Sequence, residues 1–211
     1  MKNSSKDIAK VFDQHANIYV DKYFSVEYYQ DALNVFYTHS NPEGHYLDMA
    51  CGPGNLTSHL LAHLPNAKAL GIDIAEEMLT LAKKLNPNAE FDNIDCTDLS
   101  SIDQKFDGIL SGFVLPYMNN KEVQKLVAQC ADLLNSNGVI FLSGNLADYN
   151  HSVKQGASNG EGPELYSFYY SQEFLEGELI KNGFDIVSAL NYNRNYDEFE
   201  VNEIVLVAIK T

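Results

Sequence analysis

Short apolar runs alternate with segments of helical spacing along most of the sequence from His45 onward. The runs HYLDMA, AKALGIDI, AEFDNID, FDGILSG and GVIFLSG predict strands, and residues 55–64, 75–85 and 120–134 predict helices. Each helix must return the chain to the same end of the sheet, so the strands that it joins run parallel. The pattern therefore predicts an α/β fold in which helices cover both faces of a mostly parallel sheet.

The segments on either side of this alternation predict further elements. Apolar residues at helical spacing within the first forty residues predict two short helices, which would form an N-terminal helical cap over residues 1–43. Residues 44–144 hold the alternating core. The polar stretch from 145 to 170 is too long for an ordinary connection and predicts a loop that is either disordered or functional.

Residues 171–211 predict a helix and a strand pair. Ser171 can cap a helix that ends at Gly183. Two strands near 184–194 and 199–210 are joined by a turn too short for a crossover helix, so the last strand is predicted to be antiparallel. With the five core runs they make seven strands, and residues 1–211 are predicted to form a single domain.

Charge and cysteine content exclude several classes of partner. The chain has 14 Lys and Arg against 29 Asp and Glu, a net charge of -15, whereas nucleic acid and anionic membranes bind clustered cations. No apolar run approaches the roughly 20 residues of a membrane span, and no apolar leader follows Met1, so we expect a cytoplasmic protein. Cys51, Cys96 and Cys130 are an odd number without CxxC spacing, which predicts reduced thiols and no metal site.

Two glycines follow the first predicted strand in the segment LDMACGPGN. Gly52 and Gly54 stand at a strand-to-helix turn, where glycine lets the backbone come close to a ligand. Asp73 lies 21 residues beyond Gly52, at the end of the second predicted strand, where a carboxylate can accept hydrogen bonds from ribose hydroxyls. The two features together predict a nucleotide-like ligand.

Three details favour a cationic adenosyl ligand over NAD. Thr57 stands where a dinucleotide-binding loop needs its third glycine. Asp48 precedes the glycines, and a carboxylate there would repel a diphosphate and attract an ammonium or sulfonium group. Residues 44–60 contain no Arg or Lys to neutralise phosphate.

The ordered motifs resemble those of class I S-adenosylmethionine-dependent methyltransferases, in particular the small-molecule enzymes of the methyltransferase-domain 11/25 group. LDMACGPGN resembles the first motif, GIDIAEEML the second, NIDCTDL the third, FDGILSGFVLPYM the fourth and LLNSNGVIFLSG the post-core strand. VFDQHANIYVDKYF resembles the helical cap. The resemblance implies a Rossmann-like seven-stranded sheet, S-adenosylmethionine as cofactor and methyl transfer to a small-molecule acceptor, with residues 145–170 on the substrate side.

The resemblance also implies which residues contact the cofactor. Asp73 would bind the ribose hydroxyls, Asp95 would accept a hydrogen bond from the adenine amine, and Tyr19 would cover the methionine end. The full set of implied cofactor-binding residues is Tyr19, Asp48, Ala50, Cys51, Gly52, Gly54, Asp73, Ile74, Met78, Asp95, Cys96, Ser111, Gly112 and Phe113.

Catalytic residues are harder to predict, because a sulfonium methyl group is already electrophilic and its transfer needs mainly positioning. Tyr19, Tyr117 and His151 are candidates, and His151 is the most reasonable general base. Other candidate substrate-facing residues are Tyr23, Tyr28, Pro116, Asn145, Tyr149, Tyr166, Tyr169 and Tyr170. Structural alternatives stay open: Asp95 also fits a turn, His151 a polar loop and the Tyr166–Tyr170 segment strand packing.

Other functions of the same fold remain alternatives to a small-molecule methyltransferase. A sensor that binds S-adenosylmethionine without turnover, or an inactive partner subunit, would carry the same motifs. A tRNA or rRNA methyltransferase is disfavoured because no basic patch appears, whereas a protein methyltransferase acting on a basic peptide fits the acidic composition. The acceptor atom and the oligomeric state stay open.

Overall fold

A computed structural model describes residues 2–155, 163–196 and 199–211. Its helices are α1 (Ser5–Tyr23), α2 (Gln30–Thr38), α3 (Asn55–His63), α4 (Glu76–Leu85), α5 (Asn120–Leu133) and α6 (Gln172–Lys181). Its strands are β1 (His45–Met49), β2 (Lys68–Asp73), β3 (Glu90–Asn93), β4 (Phe106–Ser111), β5 (Leu134–Asn145), β6 (Val153–Gln155), β7 (Leu165–Ser167), β8 (Phe184–Tyr196) and β9 (Phe199–Lys210). Single 3-10 turns lie at Glu27–Tyr29, Leu115–Tyr117 and Tyr149–His151.

The main sheet of the described residues has seven strands in the order β3-β2-β1-β4-β5-β9-β8. Strands β1 to β5 are parallel, and β9 lies antiparallel between β5 and β8. The predicted fold class, with its antiparallel last strand, is therefore confirmed. The strand order reverses between β1 and β4, so the helices that follow these two strands leave a crevice at the carboxyl ends of the strands.

Helices cover both faces of the sheet, as the alternating pattern predicts. On one face α2 and α3 pack on the sheet, with Leu33 and Phe36 of α2 against Phe141 of β5. On the other face α5 and α6 bury their apolar sides, with Leu126 among the fully buried residues. Alternate residues of each strand point to opposite faces, so both apolar layers come from the same short strands.

The N-terminal cap differs from the prediction of two short helices. The first helix, α1, runs for 19 residues, and only the second, α2, is short. The sequence between Ser5 and Tyr23 contains neither Gly nor Pro, so nothing interrupts the helix. Asp13 of α1 accepts a hydrogen bond from the backbone N–H of Glu77 (3.0 Å), which ties the cap to the first turn of α4.

The segment predicted as a long loop, 145–170, contains regular structure in its described parts. Strands β6 and β7 form an antiparallel pair, and the Phe168 N–H donates to the carbonyl of Pro116 (2.8 Å), which attaches the pair to the turn after β4. Residues 156–162 lie outside the described residues.

Two further expectations can be compared with the structure. All three cysteines are buried and unpaired. Among the described helices, none combines the length and apolarity that crossing a lipid bilayer requires.

The first prediction concerns the helix caps. The Asn119 side chain accepts hydrogen bonds from the N–H groups of Lys121 (3.0 Å) and Glu122 (3.2 Å), and Glu122 accepts one from the Asn119 N–H (2.9 Å). We expect Asn119→Ala to lower the free energy of unfolding by about 1 kcal/mol in urea denaturation, because this capping box satisfies free N–H groups at the start of α5.

The matched control is Ser4→Ala. Ser4 caps α1 but its side chain makes no capping hydrogen bond, and it is exposed. This variant should unfold at the same urea concentration as the wild type. Equal losses in the two variants would contradict the role of the Asn119 cap.

Candidate functional site

A cavity of about 800 Å³, part of it open to solvent, lies in the crevice at the carboxyl ends of the parallel strands and under α1. Each of the first four strands contributes residues from its carboxyl end. These residues are Ala50 and Gly52 after β1, Asp73 and Ile74 at the end of β2, Ile94 and Asp95 after β3, and Gly112 and Phe113 after β4.

The glycine loop between β1 and α3 follows a left-handed path. Ala50, Gly52 and Gly54 have φ values of 51°, 53° and 78°. A Cβ atom on Gly52 would meet only the Met78 sulfur at 4.0 Å, whereas one on Gly54 would lie 2.5 Å from the side-chain nitrogen of Asn86. Gly52 therefore leaves open space at the cavity wall, and Gly54 allows α3 and α4 to pack closely. Ala50 adopts a conformation that costs a side-chain-bearing residue about 1 kcal/mol.

Asp73 connects the end of β2 to the glycine loop. Its carboxylate accepts hydrogen bonds from the N–H groups of Gly52 (2.8 Å) and Ala75 (2.9 Å), one on each oxygen. Burial raises the pKa of Asp73, and these backbone hydrogen bonds oppose the rise. Each oxygen keeps a further lone pair, so the carboxylate can still accept hydrogen bonds from ribose hydroxyls as predicted.

Asp48 lies beneath the loop and does not line the cavity. It is 1% exposed, and one of its oxygens accepts hydrogen bonds from the Thr57 N–H (3.0 Å) and hydroxyl (2.6 Å). Burial raises the pKa of Asp48 to about 7, although the two hydrogen bonds from Thr57 oppose the rise. The structure therefore gives Thr57 a role in binding Asp48, and the predicted attraction of Asp48 for a cationic ligand has no direct contact to support it.

The predicted adenine end of the cavity is lined by Ile74, Met78 and Cys96 together with Asp95. One Asp95 oxygen accepts a hydrogen bond from the Thr97 N–H (2.8 Å), and the other accepts one from the Ser5 hydroxyl (2.6 Å). Burial acts to raise the pKa of Asp95, but the hydrogen bonds from Ser5 and Thr97 outweigh it and hold the pKa below its usual value. Asp95 is thus an ionised acceptor at this wall.

Aromatic rings of the cap and of the turn after β4 cover the other end. The Phe12 ring packs edge-on against Tyr117 (5.3 Å between ring centroids) and against Tyr19 (6.0 Å), and Tyr19 in turn contacts Tyr23 (5.0 Å). Burial raises the pKa of Tyr117 to about 12, so its hydroxyl keeps its proton at neutral pH and can donate a hydrogen bond but cannot act as a base.

Several predicted site residues lie away from the cavity. Cys51 and Ser111 are buried behind its wall, and the Ser111 hydroxyl has no hydrogen-bond partner among the described residues. His151 is exposed on the turn before β6, within hydrogen-bond distance of the Asp148 carbonyl (3.2 Å), and it does not line the cavity. Tyr170 belongs to the core, where its hydroxyl donates to the carbonyls of Leu115 and Met118. A general base at His151 therefore has no geometric support.

The start of α1 contributes wall residues that the sequence did not indicate. Asn3, Ser5 and Ile8 line the cavity together with Phe12. An Asn and a Ser ahead of an amphipathic helix fit a helix cap, so no local signal distinguishes them from ordinary capping residues. Their position depends on how α1 docks over the sheet.

Comparison with known proteins finds similarity to methyltransferases. A protein-family model described as a methyltransferase domain matches residues 47–138. An uncharacterized methyltransferase from Alkaliphilus oremlandii is 24% identical over 198 residues, which cover 89% of this chain and 90% of that protein. A putative methyltransferase from Invertebrate iridescent virus 6 is 27% identical over 105 residues, covering 50% of this chain and 38% of that protein, so the chain spans well under half the length of this relative.

A solved structure shares the fold. This is 1,6-didemethyltoxoflavin-N1-methyltransferase from Burkholderia thailandensis with bound 1,6-didemethyltoxoflavin and S-adenosylhomocysteine, which superposes with a TM-score of 0.73 at 17% identity over 98% of this chain and 88% of that chain. With the glycine loop, Asp73 and the strand order already described, these matches identify a class I S-adenosylmethionine-dependent methyltransferase fold. Residues 47–138 of the chain are therefore similar to a methyltransferase domain, and the described sheet has the fold of this class.

The two glycines should respond differently to substitution by alanine. Gly52→Ala places a methyl group in the open space at the cavity wall and costs about 1 kcal/mol of backbone strain, so we expect affinity for S-adenosylhomocysteine to fall at least tenfold with a small loss of stability. Gly54→Ala adds a clash with Asn86 and should lose more stability than Gly52→Ala. Calorimetric titration and urea denaturation measure the two effects. Unchanged affinity in Gly52→Ala would contradict the placement of the cofactor against this loop.

Asp48 should make stability depend on pH. Its pKa is raised in the folded protein, so the folded state binds a proton more tightly than the unfolded chain does, and the contribution of Asp48 to stability falls as pH rises from about 4 through about 7. We expect Asp48→Asn to gain stability relative to the wild type over this interval, by up to about 4 kcal/mol, in urea denaturation at stepped pH. Asp185→Asn, which removes an exposed carboxylate, is the control. A difference that does not vary with pH would show that Asp48 is ionised throughout.

Proposed function

We propose that this protein transfers the methyl group of S-adenosylmethionine to a small-molecule acceptor by in-line displacement. The observation that carries the proposal is the cavity at the carboxyl ends of β1 to β4, where open space beside Gly52 adjoins the Asp73 and Asp95 carboxylates. The residues suit the cofactor: Asp73 offers acceptors for ribose hydroxyls, and Ile74 and Met78 offer apolar surface for a purine. The cofactor supplies an electrophilic methyl group.

The residues of this chain would act by binding and orientation. Gly112 and Phe113, at the end of β4, face the same cavity as the glycine loop and would form the floor of the transfer site. Phe113 has a left-handed backbone (φ 62°), and its N–H donates to the Ser143 hydroxyl (2.8 Å), which holds this strained turn in place. The cap aromatics Phe12 and Tyr19 would exclude water from above.

The cavity favours an acceptor that is small and that needs no strong base. The Tyr117 hydroxyl keeps its proton at neutral pH, so it would orient the acceptor as a hydrogen-bond donor. Phe12 of α1 packs on Tyr117 over this part of the cavity, and the net charge of -15 disfavours polyanions such as RNA. The solved 1,6-didemethyltoxoflavin-N1-methyltransferase holds 1,6-didemethyltoxoflavin together with S-adenosylhomocysteine, which is consistent with a small-molecule acceptor.

Asp73→Ala tests the cofactor site. The substitution removes the acceptor for two backbone N–H groups and for the ribose, so we expect affinity for S-adenosylhomocysteine to fall more than a hundredfold in calorimetric titration. Asp185→Ala, at an exposed position on β8, should bind as the wild type does. Circular dichroism must show that Asp73→Ala remains folded. Wild-type protein that binds neither S-adenosylmethionine nor S-adenosylhomocysteine would refute the proposal.

Transfer itself is tested by incubating the protein with methyl-labelled S-adenosylmethionine and a metabolite extract. We expect label to appear in a small molecule and not in RNA or protein, and Asp73→Ala to abolish it. Cofactor binding without any transfer would favour a sensor or a partner subunit. Label in a basic protein would favour a protein methyltransferase.

A further inference from the structure

The first residues of α1 close the adenine end of the cavity. Asn3 and Ser5 line the same cavity as Asp95 and Thr97, which come from the segment after β3 on the opposite side. This end of the cavity is built partly from the start of α1, which is far away in sequence from the strand ends. The polar groups at the start of α1 can therefore add to cofactor recognition by the residues at the strand ends.

Asn3 anchors this helix start. Its side-chain NH₂ donates to the carbonyls of Tyr117 (2.9 Å) and Tyr166 (2.9 Å), and its side-chain oxygen accepts from the Tyr166 N–H (2.7 Å). Asn3 is 7% exposed, and both donor hydrogens of its amide are used. Asn3 therefore positions the beginning of α1 and has no donor left for a ligand.

Ser5 is placed differently. Its hydroxyl lies 2.6 Å from one oxygen of Asp95, and an ionised carboxylate can only accept, so the single hydroxyl hydrogen of Ser5 points to Asp95. The Ser5 oxygen consequently presents lone pairs to its remaining neighbours. Asp95 is itself an acceptor, with its other oxygen bound to the Thr97 N–H (2.8 Å). Ser5 and Asp95 thus form two adjacent acceptors at the cavity wall.

We propose that Ser5 is a specificity-determining residue for the cofactor: by donating to Asp95 it becomes a second acceptor for the 6-amino group of adenine. A 6-oxo purine, as in an inosyl compound, carries a carbonyl oxygen in place of the amino group. The two neighbouring acceptors repel this oxygen, and neither of them can donate a hydrogen bond to it. The site therefore selects an adenosyl over an inosyl group. This inference rests on the proposed function, since it names how the same cavity recognises its cofactor.

The experiment compares S-adenosylhomocysteine with S-inosylhomocysteine by calorimetric titration of the full-length protein. The wild type should bind the adenosyl compound at least tenfold more tightly. Ser5→Ala should weaken the adenosyl compound about tenfold and change the inosyl compound less than twofold, so that the ratio of the two affinities falls at least fivefold while Asp95 still favours the adenosyl compound. Ser4→Ala, which removes the neighbouring exposed hydroxyl, should match the wild type with both compounds.

Asn3→Ala separates recognition from anchoring. It loosens the start of α1 without removing either acceptor, so it should weaken both compounds by the same factor and preserve their ratio. A double-mutant cycle of Ser5→Ala with Asp95→Asn should be non-additive for the adenosyl compound, because the two residues act on one amine.

Two results would overturn the proposal. Equal weakening of both compounds in Ser5→Ala would show that Ser5 only anchors α1, and unchanged affinity for the adenosyl compound would show that it plays no part in recognition. Wild-type protein that binds neither compound would refute the proposed function and this inference together. If the wild type binds the adenosyl compound and Ser5→Ala binds it equally well, only this inference is refuted.

Discussion

The carboxylate of Asp73 is the interaction on which the cavity depends. It accepts one N–H from the glycine loop and one from the start of α4, so a single side chain at the end of β2 sets the position of two neighbouring segments. The loop follows a left-handed path at Ala50, Gly52 and Gly54, which the two glycines adopt readily but Ala50 does not, and the bond from Gly52 helps to hold it there. Burying the carboxylate opposes its ionisation, and the backbone hydrogen bonds offset that cost.

The acidic side chains at the strand ends have three different environments, although all three belong to one strongly acidic chain. Asp48 is sealed beneath the glycine loop, Asp73 is bound to backbone amides at the wall, and Asp95 is bound to Ser5 of the cap. The net charge of -15 therefore does not act on the ligand as a uniform field. Burial and local hydrogen bonding together set the pKa of each carboxylate, and burial decides which of them a ligand can reach.

The parts of the structure that were predictable from sequence are those with local causes. The strands, the turn at Gly52 and Gly54 and the acid at Asp73 follow from apolar runs, backbone freedom and spacing within one crossover unit. The direction of the Asp48 side chain was not predictable, because it depends on the hydroxyl of Thr57 one helical turn into α3. The position of His151 away from the cavity was not predictable either, because polarity in a loop says nothing about which surface the loop covers.

The contacts of the N-terminal helical cap were also not predictable from the sequence, because they join residues that are far apart along the chain. The spacing of apolar residues identifies α1 as amphipathic, but nothing near Asn3 or Ser5 indicates the segments that they meet. Those partners come from the segments after β3 and β4 and from β7, which only the complete sheet brings together. Non-local contacts of this kind are set by the topology of the fold, and a pattern within a short window does not encode them.

The position of Asn3 also has a consequence for the order of folding. Its side chain binds backbone groups 114 and 163 residues further along the chain. During synthesis Asn3 is made before Tyr117 and Tyr166, so its hydrogen bonds can form only after these later segments have left the ribosome. The apolar side of α1 around Phe12 packs on Ala75 and Met78 at the start of α4, so this part of the docking surface exists well before the partners of Asn3 have been made. The hydrogen bonds that fix the start of α1 are thus among the last contacts of this cavity that a nascent chain can complete.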